Sequence, residues 1–445
     1  MTSATPVRPE GNAPTRVRQR VVLYAVALAG ITYIDRVCIS QAAPLMVRDL
    51  ALTAVQMGYA FSAFAWAYAL FEIPSGYMGD RLGPRRVLLR IVVWWSFFTA
   101  ATGWAWNTTS LVITRFLFGA GEAGCFPNLT KAFTTWLPPR ERVRAQGLLW
   151  MSARWGGALT PALVAYLLYG KLEVVGVEIL PLSWRHAFEL FGAMGIVWAV
   201  LFYRFYRDNP RDHPAMNAAE IELLEGADRL ATGHGDVPWG LFVRSPQVLL
   251  LCAQYFCLSY GWYFYITWLP TYLKESRGVA IQQGALLAGL PLFLGGLGSV
   301  SCGFITPFVA NRVGGIGRAR RLLAVIGFTA ASGFLLLSTR LGSPAAAVLA
   351  MGLASFANDL AMPGAWGACM DVGGRFAGTL SGAMNMTGNL GSAVSPIAIG
   401  YILSATAGDW NMTFYVSAAV YFLGGVCWLV LDPVTPLVPA EAAAE

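Results

Sequence analysis

Gly76-Tyr77-Met78-Gly79-Asp80-Arg81-Leu82-Gly83-Pro84-Arg85-Arg86 joins the end of one long apolar run to the start of the next, and its spacing decides how the rest of the chain is read. Gly76 and Gly79 let neighbouring helices approach closely, and Gly83 permits a tight turn. Asp80 can pair with arginines or with a helix N-terminus across a bundle interface. Such a contact would hold one side of a helical assembly shut and break when that side opened. A cationic loop serving topology alone would explain Arg81, Arg85 and Arg86, but not the glycines and the acid at this spacing.

Working outward, the segment has a second copy. Asn311-Arg312-Val313-Gly314 matches Asp80-Arg81-Leu82-Gly83 with Arg312 lying 231 residues after Arg81. The acid is replaced by Asn311, so the second latch is expected to be weaker. Tyr265-Ile266-Thr267-Trp268 matches Tyr33-Ile34-Asp35-Arg36 at 232 residues, and Gly391 to Pro396 matches Gly156 to Pro161 at 235. Three matches at nearly one offset argue for duplication, although shared helix-packing chemistry explains each alone. Two related halves place a binding site between them near the membrane midplane.

Composition requires a bilayer. The chain has 445 residues, 56% hydrophobic and 12% charged, with mean hydropathy +0.55; a soluble domain carries about 25% charged residues. Apolar runs fall near 21–46, 57–79, 87–106, 110–133, 145–168, 185–206, 248–273, 282–309, 321–339, 344–370, 378–405 and 410–431. In hydrocarbon the backbone must satisfy its own hydrogen bonds, so these are helices. The expected fold is an all-α membrane protein of twelve transmembrane helices in two pseudo-symmetric six-helix bundles. Its parts are an N-terminal tail (1–20), a first bundle (21–206), a central loop (207–247), a second bundle (248–431) and a C-terminal tail (432–445). The central loop has a possible short helix from Ala218 to Leu230.

Cationic loops orient it. Arg8, Arg16, Arg18, Arg20, Arg81, Arg85, Arg86, Arg140, Arg142, Arg144, Arg204, Arg207, Arg211, Arg229, Arg244, Arg312, Arg318, Arg320 and Arg321 fall on one side. The other side holds little beyond Arg48, Lys171, Lys274, Arg277 and Arg340. Both termini are therefore expected in the cytoplasm, and the net charge of +7 reads as an insertion signal, with no basic stripe for nucleic acid. The seven cysteines sit in apolar runs without ligand spacing. The three histidines, His186, His213 and His234, lie at a span boundary or in the central segment. No metal, cofactor or catalytic cluster is expected, and the chain is not read as an enzyme.

Ionisable residues deep in a span cost about 3 kcal/mol on insertion scales and need a partner or a function. Asp35 and Arg36 lie in the first span, Glu72 in the second, Arg115 and Glu122 seven residues apart in the fourth, and Arg154 in the fifth. Arg90 and Lys131 are near span ends and can snorkel. The second half answers with polar and aromatic groups, Tyr265, Trp268, Tyr272, Asn358, Trp366, Asn385 and Asn389. This predicts a polarised cavity whose arginine fork suits a carboxylate. A buried acid beside that arginine would change its proton affinity when substrate arrives. The alternative is that Asp35–Arg36 and Arg115–Glu122 are only compensating pairs.

The segment from Gly76 to Arg86 closely resembles the major facilitator signature G-x-x-x-D-R-x-G-x-R-R. Tyr33 to Arg36, Phe61 to Tyr68, Arg115 to Glu122, Phe126-Pro127-Asn128, Thr267 to Tyr272 and Gly382-x-x-Asn385 resemble the anion:cation symporter family of that superfamily. Its members include hexuronate, galactonate, glucarate and phthalate transporters and vesicular glutamate and sialic-acid carriers. The resemblance runs from about Tyr24 to Leu431. It implies a proton-coupled symporter of a small organic anion, a sugar acid such as an aldonate, hexuronate or aldarate, working by alternating access as a monomer in a cell inner membrane. It implies that Arg36 binds the substrate carboxylate beside Tyr33 and Tyr68, that Trp366 and Asn385 contact it from the second half, and that Trp268 joins them. Asp35 and Glu122 would carry protons, with Arg115 controlling Glu122. The gate motif would be Gly76, Asp80, Arg81, Gly83, Arg85 and Arg86. Arg154, where sugar-acid members often have a neutral polar residue, favours a diacid unless Glu72 or Glu122 neutralises it. An uncoupled or exchange carrier, sodium coupling, or a non-transporting membrane sensor are the rival readings.

Overall fold

The computed structural model describes residues 13–169, 172–174, 177–179, 181–224, 237–279 and 281–438; Arg8, Lys171, Arg229 and His234 lie outside them. The first half consists of Val17–Asp49, Ala54–Leu82, Pro84–Gly103, Thr108–Glu122 with Cys125–Trp136, Pro139–Tyr169 and Trp184–Phe205. The second consists of Pro246–Thr267 with Leu269–Glu275, then Ile281–Val313, Ile316–Ser338, Pro344–Asp359 with Met362–Gly373, Ala377–Ala405 and Trp410–Val430. These are spans one to twelve. Six helical stretches among the described residues are long and apolar enough to cross a membrane by length and composition alone. Several of the other spans carry the seam's charges. One addition to the all-helical expectation is a short antiparallel hairpin, β1 (Leu172–Val174) on β2 (Val177–Ile179), between spans five and six.

Packing repeats between the halves. The first span packs on the fifth as the seventh does on the eleventh; the second packs on the fourth as the eighth does on the tenth. Across the seam, the second packs on the eleventh and the fifth on the eighth.

Three spans read as continuous are broken, the seventh at Trp268 between Pro246–Thr267 and Leu269–Glu275. The fourth stops at Glu122 because Gly124 adopts a positive φ of 84°, and a Cβ there would meet Ser75 Cβ at 2.2 Å. The tenth stops at Asp359, and Pro363 opens the following helix. Hydropathy averages over such a break, since neither half loses apolar character.

The central segment is docked on the first bundle. Its described helices are Ala218–Glu222 and Trp239–Arg244, and residues 225–230 of the expected helix lie outside the described residues. Glu220 is fully buried and accepts hydrogen bonds from Thr15 Oγ1, the backbone N–H groups of Val17 (3.0 Å) and Arg18 (3.1 Å), and Arg18 Nη1 (3.1 Å). It therefore caps the first span. Burial pushes the Glu220 carboxyl up, but these donors together hold it below its ordinary value. A depressed carboxyl stabilises docking above its unfolded pKa of about 4.3, and that contribution is lost as pH falls through the folded value. Glu220→Gln at pH 7 should reproduce the loosening that acid produces in the parent, read as faster amide exchange over residues 13–20.

Candidate functional site

The end of the molecule where the first span begins and the twelfth ends is sealed. Asp80 Oδ1 accepts from Gly378 N (3.0 Å), and Oδ2 accepts from Thr379 N (2.6 Å) and Thr379 Oγ1 (2.7 Å). Of the two partners open to Asp80, it takes the free N–H groups that begin the eleventh span. Lys131 Nζ lies 3.6 Å from Asp80 Oδ1 and donates to Arg375 O at 2.6 Å. Lys131 does not snorkel; it is buried at the seam. The arginines of the motif turn elsewhere: Arg85 stacks on Tyr203 at 4.2 Å, Arg81 Nη1 reaches Tyr77 Oη at 3.4 Å, and Arg86 is exposed. Gly83 has φ 85° and makes the turn. Behind the latch, Asp371 accepts from Arg142 of the fifth span and from Arg320 Nη1 of the ninth (2.6 Å).

Gly76 makes this seam possible. A Cβ at Gly76 would lie 2.4 Å from Gly378 O, a backbone atom that no rotamer change can move. Gly76→Ala should push the second and eleventh spans apart, at an overpacking cost of about 1–3 kcal/mol. The expected readout is a lower unfolding temperature together with greater thiol labelling of a Thr379→Cys probe. Unchanged labelling would contradict this account of the closure.

Nearer the middle, Arg36 reaches from the first span to the last residue before the break in the fourth. Its Nε donates to Glu122 Oε1 at 3.1 Å, and its Nη2 donates to the same oxygen. The guanidinium lies over three rings, Tyr68 (4.7 Å), Phe64 (5.2 Å) and Tyr33 (5.3 Å). The Arg36 side chain remains 24% accessible while that of Glu122 is fully buried. Arg115 is buried over Phe118 (4.4 Å) and Phe64 (5.3 Å), with no hydrogen bond at Nε or Nη1. Asp35 turns away from Arg36, as adjacent residues on a helix must, toward Trp95 and Arg115. It is buried with neither carboxylate oxygen hydrogen-bonded. The close pair is thus Arg36–Glu122, not Asp35–Arg36.

The other expected residues have partners of their own. Asn385 and Asn389 (2.9 Å) donate to the two oxygens of fully buried Glu72, joining the second span to the eleventh. Trp366 is fully buried, donates from Nε1 to Tyr255 Oη (3.0 Å) and packs against Trp150 (5.2 Å). Trp268 donates to Pro396 O at 3.2 Å and packs on Trp410 within the second bundle. Tyr265 and Tyr272, expected on the cavity wall, are core residues instead; Tyr272 packs edge-on to Phe264, Trp410 and Phe414. Arg154 pairs with neither Glu72 nor Glu122 but with Asp359 of the other bundle, Nε to Oδ2 at 2.8 Å and Nη2 to Oδ1 at 3.0 Å. The second half has therefore not given up its charges.

The hydrogen bonds and ion pairs that join the bundles among the described residues run from mid-span to the sealed end. They describe a two-bundle molecule closed on one side, with charged groups at its centre. Comparison with known proteins agrees. The Major Facilitator Superfamily matches residues 25–396. The chain is 35% identical over 418 residues to a probable sulfoacetate transporter, SauU, of Cupriavidus necator, covering 93% of this chain and 94% of that one. It is 29% identical to the probable galactarate/D-glucarate transporter GarP of Escherichia coli, covering 93% and 94%. Among solved structures, FucP in the outward conformation superposes with TM-score 0.72 at 14% identity, covering 93% of this chain and 99% of that one. A match over most of the chain, joined to this fold, makes the protein a member of the Major Facilitator Superfamily.

Proposed function

We propose that the protein is a proton-coupled symporter of a small organic anion, working as a monomer in a cell inner membrane with both termini cytoplasmic. The bundles 21–206 and 248–431 would rock about the central site, with 207–247 as their linker. The observation that supports this most is the Arg36–Glu122 pair. A partly accessible guanidinium among three aromatic faces is held by a buried carboxylate, which occupies the place a substrate carboxylate would take. Protonating Glu122 releases the fork of Arg36 for the substrate; loss of the substrate lets Glu122 ionise and return. Asp35, buried without a hydrogen bond at either oxygen, is the second acid placed to carry a proton, and Arg115 biases both. The sealed face is then the cytoplasmic gate, so substrate enters from outside. Relatives named for sulfoacetate, galactarate or glucarate, and in Bacillus subtilis for hexuronate (27% identical), all handle small acids.

The test is uptake by purified protein in proteoliposomes across a panel of sugar acids, with and without an inward proton gradient. Accumulation driven by the gradient supports the reading. Uptake of an acid that ignores the gradient would remove the coupling and leave the exchange reading.

A further inference from the structure

Two of the broken spans, the fourth and the tenth, place a carboxylate at the same point of each half. Glu122 ends the first part of the fourth span and Asp359 the first part of the tenth. Both are fully buried, and each is engaged by an arginine, Arg36 on Glu122 and Arg154 on Asp359. The seam therefore holds two acid–arginine pairs related by the internal repeat, although the arginines themselves are not repeat counterparts.

Arg154 is only partly used. Nε and Nη2 serve Asp359, and Nη2 also approaches Met362 Sδ at 3.5 Å, while Nη1 donates to no described residue. The guanidinium lies over the Trp262 ring, 3.6 Å from its centroid, and this contact restrains it. Asp359 has two neutral donors of its own, Ser299 Oγ (3.2 Å) and Asn358 Nδ2 (3.0 Å). It therefore does not depend on Arg154 alone when the arginine shifts toward a ligand. Tyr33 connects the two pairs. Its ring lies 5.3 Å from the Arg36 guanidinium, and its side chain packs against Gly156 and Gly157 of the fifth span, one turn or less from Arg154.

We propose that Arg154 is a second anion subsite, and that the substrate is a compact dianion with one acidic group on Arg36 and the other on the free edge of Arg154. This rests on the assignment of Arg36 above and adds the number and placement of the acidic groups. Tyr33 would lie alongside the backbone of the bound molecule. A monoacid reaches only one of the two forks.

The experiment measures ligand affinity of the full-length protein in detergent for two matched pairs, D-glucarate against D-gluconate and sulfoacetate against methanesulfonate. The expected result is at least a tenfold preference for the dianion in one pair. In the double variant Arg154→Gln/Asp359→Asn, which removes both charges and keeps hydrogen-bonding side chains, that preference should disappear while monoacid affinity changes less than threefold. The proposal is overturned if the wild type prefers neither dianion, if the preference survives the double variant, or if dianion and monoacid weaken equally, as for a plain strut. Monoacid binding that depends on Arg36 and ignores Arg154 would keep the symport reading and sink this one. Absence of any acid binding would sink both.

Discussion

Arg36→Ala is expected to lower substrate affinity by at least about 30-fold. Truncating one partner of a buried, hydrogen-bonded charge pair costs about 2–5 kcal/mol, and each 1.4 kcal/mol is tenfold. Two losses follow, the first in affinity and the second in stability of the substrate-free protein. The substrate carboxylate loses its planar fork, and Glu122, fully buried, loses the guanidinium that compensates its charge. Arg36→Lys separates these losses. It restores the charge and rescues Glu122, but a point ammonium lacks the two parallel donors. Its affinity should fall between wild type and alanine. Equilibrium binding with labelled substrate reads the effect directly, and wild-type affinity in Arg36→Ala would end the assignment of Arg36.

Glu122→Gln should split the transport cycle in two. Glutamine keeps the length of the side chain and still offers an oxygen to Arg36, so exchange of labelled for unlabelled substrate should survive within a few-fold. It cannot take up or release a proton. A one-unit pH gradient is worth about 1.4 kcal/mol, or tenfold accumulation per coupled proton. The variant should lose the share of accumulation that Glu122 supplies, and its uptake should lose pH dependence in step. Measuring counterflow and gradient-driven uptake in the same vesicles distinguishes this from general damage. Undiminished accumulation would assign the coupling to another acid, with Asp35 and Glu72 next to test.

Much of the molecule was legible in the chain because membrane insertion writes plain signals. Apolar length marks the spans, and the spacing from Gly76 to Arg86 marks a close helix crossing. The cluster around Arg36 was readable because an uncompensated charge in mid-span is costly and therefore rare. What stayed hidden were charges near the ends of apolar runs. Arg142 and Arg320 counted as loop charges setting topology, yet both are buried on Asp371. Asp359 fell inside an apolar run that hydropathy treats as continuous, and the break that presents it to Arg154 comes from backbone geometry. The partners of Glu72, Asn385 and Asn389, lie more than 300 residues away in sequence, so only packing could pair them.

The turn at Gly124 limits how this carrier can be re-engineered. Its φ of 84° excludes most side chains, and the 2.2 Å approach to Ser75 excludes even a methyl group. A randomised library meant to widen the range of accepted acids should hold residue 124 constant and place its diversity at Tyr33, Tyr68 and Arg154. Variation at 124 would return misassembled protein instead of altered selectivity.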